Sequence, residues 1–503
     1  MNQFLNDKCH SASKRFFRWC AAASLGIVVF HLLATAHAAD SKPSDRPNII
    51  FILADDMGIG DCGVYNPESK ISTPNIDRLA REGMRFTDAH AAGAICVPSR
   101  YGLMTGEYVC RTWNRWPPRG CSLHDPKKVT LASLLKLAGY DTAMVGKWHL
   151  GIRHNMADGT VQFSPVEFGF DYFFGMNQSL DTQPYFYVEN DRMVAAPTEH
   201  TEGQEGDPAK VSHPNIQGPM WREGAIAPGF EHAKTLPLLT AKAVEYLNGR
   251  SVGGNPFFLY FAMTAPHAPW LPLPEFQGKS GAGGYGDFAM QVDDCVGQVL
   301  AALERRGLAK NTLVIFSSDN GPLWFPQDVE RYAHKSSGIY RGMKLDYYEG
   351  GHREPFVARW PEKIMAGSIS TQMVNFTDMM ATFADIAGVK VPPGAGLDSF
   401  SMAHVLLNIP ATGPVRKDCI HEHFGRYSLA YRQGAWKLLL PYETYQVANG
   451  SITASEITDL TRFELHNLEE DPGETINLTS EYPEKAKALF ESLKDNLKRG
   501  ASR

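Results

Sequence analysis

Past its first 38 residues the chain has no apolar run long enough to cross a bilayer. No stable membrane anchor is expected in the mature protein. Basic charge is also scarce, with 49 Lys and Arg against 55 Asp and Glu and a formal net charge of -6. That balance excludes a surface built over its whole extent for nucleic acid or another polyanion, although a local basic pocket is still allowed. Cysteine is sparse, eight in 503 residues, too few for a disulfide framework at this size. Low-complexity tracts are missing too, which leaves an ordinary globular protein of one large domain and a smaller one.

What is present begins with a distinct N-terminal segment. Lys8, Lys14, Arg15 and Arg18 lead into AAASLGIVVFHLLATA, which stops at Ala36-His37-Ala38 before Asp40. Residues 1–38 read as a cleaved secretory signal, so the mature protein is expected to be secreted or periplasmic. Cleavage removes four basic groups and Asp7, a net +3, and takes the formal charge from -6 to -9. Six cysteines remain: Cys62, Cys96, Cys110, Cys121, Cys295 and Cys419. Cys110 and Cys121 are placed to close a short loop in an oxidising compartment. Cys62, Cys295 and Cys419 read as buried and structural.

Along the mature chain a unit recurs: helix, buried strand, then polar residues. NIIFILADD ends abruptly in Asp55 and Asp56, and TAMV breaks into GKWHLG. PFFLYFAMT runs into APHAPW, and NTLVIFSS runs into DNG. Thr73-Pro74 predicts a helix start with a capping side chain, and a helix over Thr130 to Ala138 is capped by Thr130 and stopped by Gly139. This pattern predicts an α/β domain with a largely parallel central sheet, whose ligands bind beyond the carboxyl ends of the strands. From about Val391 the texture changes to a hairpin around Gln433-Gly434, the strand FELHNL and an amphipathic terminal helix. We therefore divide the mature chain into a catalytic domain over 47–390 and a small α+β subdomain over 391–503. Residues 190–235, polar and rich in Gly, Pro and His, read as a long loop.

Asp55, Asp56, Asp319 and Asn320 offer oxygen ligands of the hard type, suited to Ca²⁺ or Mg²⁺ rather than zinc. Either pair alone is as well explained by a polar strand end or an Asx turn; two pairs ending strands of one sheet favour a metal. Arg100, Lys147, Lys344, His149 and His267 add cations and donors near the same edge. Together they describe a pocket for sulfate or phosphate. Cys96, at a predicted helix start, would face that anion along the favourable end of the dipole.

CVPSRYGLMTG resembles the sulfatase signature, and GKWHLG resembles the second one. NIIFILADDMG, APHAP, LVIFSSDNG and RGMKLDYYEGGHREP follow the family's order, so the resemblance covers nearly the whole mature chain. It implies an alkaline-phosphatase-like large domain and a Cys96 oxidised to formylglycine by a formylglycine-generating enzyme. The aldehyde hydrate carries two geminal hydroxyls: one attacks sulfur, and deprotonating the other expels sulfate from the sulfated hemiacetal. The same resemblance implies one Ca²⁺ bound by Asp55, Asp56, Asp319 and Asn320 together with residue 96. It gives Arg100 and His149 the hydrated aldehyde, His149 as base, and Lys147 and Lys344 the transferred group. His267 is implied as the proton donor to the leaving alcohol, with Lys344 assisting. Asp346 and His352 depart from the small or apolar residues commoner there, a difference expected to touch the substrate rim.

Two alternative readings stand beside this one: a formylglycine-dependent phosphodiesterase or phosphonate hydrolase, and a non-catalytic secreted carbohydrate-binding protein with unmodified Cys96. Ligands for a single metal weigh against the first, and retention of every polar position against the second. The expected substrate is a sulfate ester, in particular a sulfated carbohydrate. In the loop VCRTWNRWPPRGC, Trp113 and Trp116 offer faces for sugar rings, and Arg111, Arg115 and Arg119 offer forks for anionic groups.

Overall fold

The computed structural model describes residues 46–111, 122–410, 413–423, 428–441, 445–448, 451–454 and 460–503. The signal segment over 1–38 and Trp113, Arg115, Trp116, Arg119 and Cys121 lie outside the described residues. The main sheet has ten strands. In chain order they are β1 (Asn48–Asp55), β2 (Met84–Phe86), β3 (Asp141–Lys147), β4 (Tyr172–Met176), β5 (Val188–Glu189), β6 (Arg192–Met193), β7 (Phe257–Pro266), β8 (Thr312–Ser318), β9 (Phe356–Arg359) and β10 (Ser368–Ser370). Across the sheet they stand in the order β10-β2-β9-β8-β1-β7-β3-β4-β5-β6. The five central strands from β8 to β4 are parallel, with Ile49 opposite Phe258 and Leu313. Antiparallel pairs enter only on the flanks.

All eight residues of β1 are buried because both faces of the sheet are covered. Ile49, Phe51 and Leu53 enter one apolar core, and Ile50, Ile52 and Ala54 enter the other, as a period of two requires. The first core takes α2 (Cys96–Thr105), α3 (Leu131–Leu137) and α7 (Met379–Ala387); the second takes α1 (Pro74–Arg81), α4 (Thr235–Asn248) and α5 (Gly283–Arg305). Between α5 and α7, after a helix over Pro326–Tyr332, lies a short turn, α6 (Glu349–His352).

Two local expectations change. Thr73 precedes α1, but its hydroxyl accepts from Gly63 N at 2.9 Å rather than capping the helix. Asp293 of α5 takes that role across the core, accepting from Asn75 N and from Ile76 N at 2.8 Å. Residues 190–235 are not a plain loop, since Glu199–Thr201 and Gly224–Ile226 pair as an antiparallel ribbon. Thr130, by contrast, caps α3 as expected, accepting from Ser133 N at 3.1 Å.

The second sheet is antiparallel: β11 (Asp418–His423), β12 (Ser428–Gln433), β13 (Trp436–Leu439) and β14 (Glu464–Asn467). The terminal helix α8 (Pro483–Arg499) buries Ala486, Leu489, Phe490 and Leu493. These side chains, with Ile420, Leu429 and Tyr431, join the same apolar core as Phe51 and Leu53. Main sheet and second sheet thus share one core. No helix of the described residues is long and apolar enough to cross a membrane.

Candidate active site

Four adjacent parallel strands deliver their polar ends to one edge of the sheet. Asp55 is the last residue of β1 and Lys147 the last of β3; His267 directly follows β7, and Asp319 and Asn320 follow β8. Asp56 and His149 both have positive φ, 70° and 58°. Ordinary side chains rarely adopt that conformation, and here the chain turns sharply to present two functional groups. The opposing wall is α2, with Cys96 at its first position and Arg100 one turn later on the same face. Gly102 lets this helix lie against the preceding loop: a Cβ there would stand 2.3 Å from the Ala92 Cβ. Lys344 is fixed by its own backbone, N–H to Pro322 O at 2.9 Å.

These side chains are joined by short charged contacts, although Arg100 and Lys147 are wholly buried. Lys147 Nζ donates to Asp55 Oδ2 at 2.6 Å and to Ser179 Oγ at 2.8 Å. Arg100 Nε and Nη2 both reach Asp319 Oδ2, at 2.9 and 2.8 Å. Lys344 Nζ donates to Asp56 Oδ2 at 2.7 Å, and Asn320 Nδ2 to Asp56 Oδ1 at 2.6 Å. His267 Nδ1 faces its neighbour's carbonyl, Ala268 O, at 2.7 Å, so Nδ1 carries the proton and Nε2 faces the site, 3.7 Å from Asp56 Oδ2.

The electrostatics follow from that packing. Burial alone would raise the Asp55 carboxyl, but Lys147, His267 and Arg100 hold it well below the ordinary range. Burial and the neighbouring Asp55 push Asp319 up to about 6, a repulsion that a divalent cation between them would relieve. Burial pushes the Cys96 thiol up to about 11 despite Lys147 and Lys344, so an unmodified cysteine would be a poor nucleophile at neutral pH. His149 is held far below its usual value by burial, then by Lys147 and Arg100, so its ring is neutral.

The donor set fits a hard cation. Asp55 Oδ1 and Asn320 Oδ1 are buried without a hydrogen bond, and ligand atoms of Asp55, Asp56 and Cys96 all lie within 4.8 Å of one another. Three carboxylates face three permanent cations, so a divalent ion would leave the pocket positive for an anionic ester. All ten residues expected from the sequence thus meet in one place.

Residues 47–389 match the sulfatase family model, and residues 343–502 match the model for the C-terminal region of N-sulphoglucosamine sulphohydrolase. The chain belongs to the sulfatase family. It is a sulfuric ester hydrolase. It is 34% identical to the N-acetylgalactosamine-6-O-sulfatase of Bacteroides thetaiotaomicron over 90% of this chain and 94% of that protein. The N-acetylgalactosamine-6-sulfatase of Mus musculus is 33% identical over 83% of this chain and 76% of its own length. A solved structure described under metabolism of multiple glycosaminoglycans by Bacteroides thetaiotaomicron superposes with a TM-score of 0.75 at 33% identity, covering 90% of this sulfatase and 99% of that chain.

Some positions of the sulfatase differ from expectation. His352 is not at the substrate rim: it is fully buried on α6 and faces His90 and His421. Asp346 is half-buried and accepts from Met343 N at 3.1 Å. Arg111 is not free to grip a substrate, because Asp398 holds Nη2 at 2.7 Å and Asn496 O accepts from Nη1. Cys62, Cys295 and Cys419 are buried, as expected.

Sequence reasoning missed Ser179, Asp181 and Arg222. Ser179 and Asp181 follow β4, so the rule that selected the other strand ends would have found them. Asp181 pairs with Arg222 beside His267; burial would raise its carboxyl, but His267 and Arg222 lower it. Glu354 was missed as well, a buried carboxyl with neither oxygen hydrogen-bonded, raised by burial and by Asp319 and Asp56.

Proposed function

We propose that the protein is an exported sulfatase that removes sulfate from sulfated carbohydrates, with 6-O-sulfated N-acetylgalactosamine as the first substrate to try. The observation that supports this reading is a buried cluster of carboxylates, cations and Cys96 at one sheet edge, in a chain matching N-acetylgalactosamine-6-sulfatases over most of its length. Export follows from the signal-like segment over 1–38.

Cys96, oxidised to formylglycine, would supply a hydrated aldehyde as nucleophile, and a calcium ion held by Asp55, Asp56, Asp319 and Asn320 would supply positive charge to the sulfate oxygens. Arg100 and His149 orient the hydrate, and neutral His149 accepts a proton from it. Lys147 and Lys344 lie against the sulfuryl group and neutralise the charge that develops on its oxygens. His267, when protonated at both nitrogens with Nδ1–H held by Ala268 O, gives the Nε2 proton to the departing sugar oxygen, with Lys344 alongside. Because Cys96 is only 3% exposed, a formylglycine-generating enzyme would meet it before the chain folds. Arg115 and Trp116 are proposed as rim contacts for a longer substrate, with Arg111 as a fixed post at the loop's start.

Turnover of 6-O-sulfated N-acetylgalactosamine, other sulfated sugars, an aryl sulfate and a phosphodiester tests the reading. Faster cleavage of the phosphodiester would overturn it. Peptide mass spectrometry of active enzyme should show formylglycine at 96; unmodified cysteine there would contradict the proposed nucleophile. Alanine at both Arg115 and Trp116 should slow an oligosaccharide more than the aryl sulfate. Equal losses would make the loop structural.

A further inference from the structure

A second buried polar centre lies between the main sheet and the second sheet. His90 precedes Cys96 by six residues, Glu349 and His352 lie on α6, and His421 lies on β11. All four are fully buried. One ligand atom from each lies within 4.8 Å of those of the others.

The hydrogen bonding around the imidazoles has a direction. His90 Nδ1 and His352 Nδ1 face each other at 3.1 Å. Their remaining nitrogens are already held: His90 Nε2 by Asp88 Oδ1 at 2.8 Å with Arg432 Nη1 at 3.1 Å, His352 Nε2 by Tyr347 O at 3.2 Å with Lys437 Nζ at 3.2 Å. A carboxylate or carbonyl behind each ring, with the other nitrogen turned inward, is the arrangement found around histidines that bind a metal. Imidazole nitrogens on one tetrahedral zinc stand about 3.3 Å apart, since each is about 2.0–2.1 Å from the ion. His421 adds a third ring, and neither of its nitrogens has a hydrogen bond. A fully buried ring with both nitrogens unpaired is unfavourable, and a metal ligand bond would relieve that.

The surroundings keep these rings neutral and able to bind. Burial holds His90, His352 and His421 below the usual histidine range. The permanent charges are matched, Asp88, Glu349 and Glu474 against Arg353, Arg432 and Lys437. Three neutral imidazoles and one carboxylate form a nitrogen-rich set of zinc type, unlike the all-oxygen set of the sulfate pocket.

We propose that His90, His352 and His421, with Glu349 as the fourth group, form a structural zinc site that ties the second sheet to the segment leading into the nucleophile helix. His421 lies parallel to His352 at 3.6 Å between ring centroids, so coordination turns its ring out of that stack. The ion would add a metal link among three parts of the chain that already meet through packing, hydrogen bonds and ion pairs. The site is separate from the calcium ligands and does not depend on the substrate.

The test uses the full mature protein, dialysed against zinc chloride with calcium present and then against metal-free buffer. Elemental analysis should find about one zinc per chain beside calcium, and cobalt chloride in place of zinc should give the visible bands of a tetrahedral ion. His352→Met and His421→Phe should each lower retained zinc at least about tenfold while calcium is unchanged. Wild-type protein that retains no zinc, or variants that retain as much as wild type, would overturn the proposal. If the variants do not fold, the wild-type melt decides: zinc should raise the melting temperature by several degrees, and no shift would overturn the site.

Discussion

The sulfate pocket and the histidine centre flank the short segment from His90 to Cys96, and by charge alone they look alike. Each is buried, and each sets three carboxylates against three permanent cations: Asp55, Asp56 and Asp319 with Arg100, Lys147 and Lys344 in one, Asp88, Glu349 and Glu474 with Arg353, Arg432 and Lys437 in the other. They differ in what is left over after the ion pairs are made. In the first the unpaired atoms include the oxygens Asp55 Oδ1 and Asn320 Oδ1 beside His149 Nδ1; in the second they include both nitrogens of His421 beside the oxygens Glu349 Oε2 and Glu474 Oε1. Charge balance keeps a buried cluster folded, whereas the surplus donor atoms decide what it can bind.

The largest effect should come from removing the proposed nucleophile. Cys96→Ala is expected to cut turnover by about 10⁴-fold or more while leaving the melting temperature nearly unchanged. A loss of folding without a loss of intrinsic rate would reverse the roles assigned to the two centres. Asp319→Ala comes next, with a fall of about 10³-fold in kcat/KM and loss of bound calcium. Zinc content should be unaffected, and its loss would show that the centres are one coupled site.

On the histidine side the expected change is in stability. Lys437→Met leaves Glu349 and Glu474 without their shared cation, at a cost of about 3–5 kcal/mol in denaturant unfolding. Turnover per folded molecule should hold. The smallest effect is a pH dependence at the boundary between the two centres, where Glu422 accepts from Cys110 N at 2.7 Å and its residue bridges Gly93. Burial pushes its carboxyl from 4.5 up to about 7. The folded state therefore holds the proton more tightly, so this contribution is full below pH 4.5 and is lost as pH rises through about 7. The loss amounts to about 3 kcal/mol, and Glu422→Gln should flatten that part of the stability profile. An unchanged profile would show that the group is not buried as described.

Much of the first centre was legible in the sequence because its parts are local events. A buried strand must alternate between two cores and stop where polar residues begin, so Asp55, Lys147, His267 and Asp319 announced themselves as strand ends. Parallel order then brings those ends to one edge without further information. The helix start at Cys96 and the cap at Thr130 are likewise set by a few neighbouring residues. Ser179 and Asp181 obeyed the same rule and were passed over because NQSLD carries no abrupt pair of charges.

Tertiary structure decided what no window of sequence contains. Asp293 caps α1 from more than 200 residues away, which displaced the expected Thr73 cap. Arg111 reads as a free surface arginine until Asp398 and the terminal helix fold over it. His352 sits one residue before Arg353 in a stretch that points toward the substrate by its neighbours. The short helix α6 instead turns it inward, against His90 and His421, 262 residues before it and on another sheet after it. The sequence by itself determined the strand ends and the helix start at Cys96, because each follows from short-range periodicity and turn geometry. Only the packing of the second sheet on the first decided the histidine centre, because contacts between distant segments depend on how whole surfaces fit.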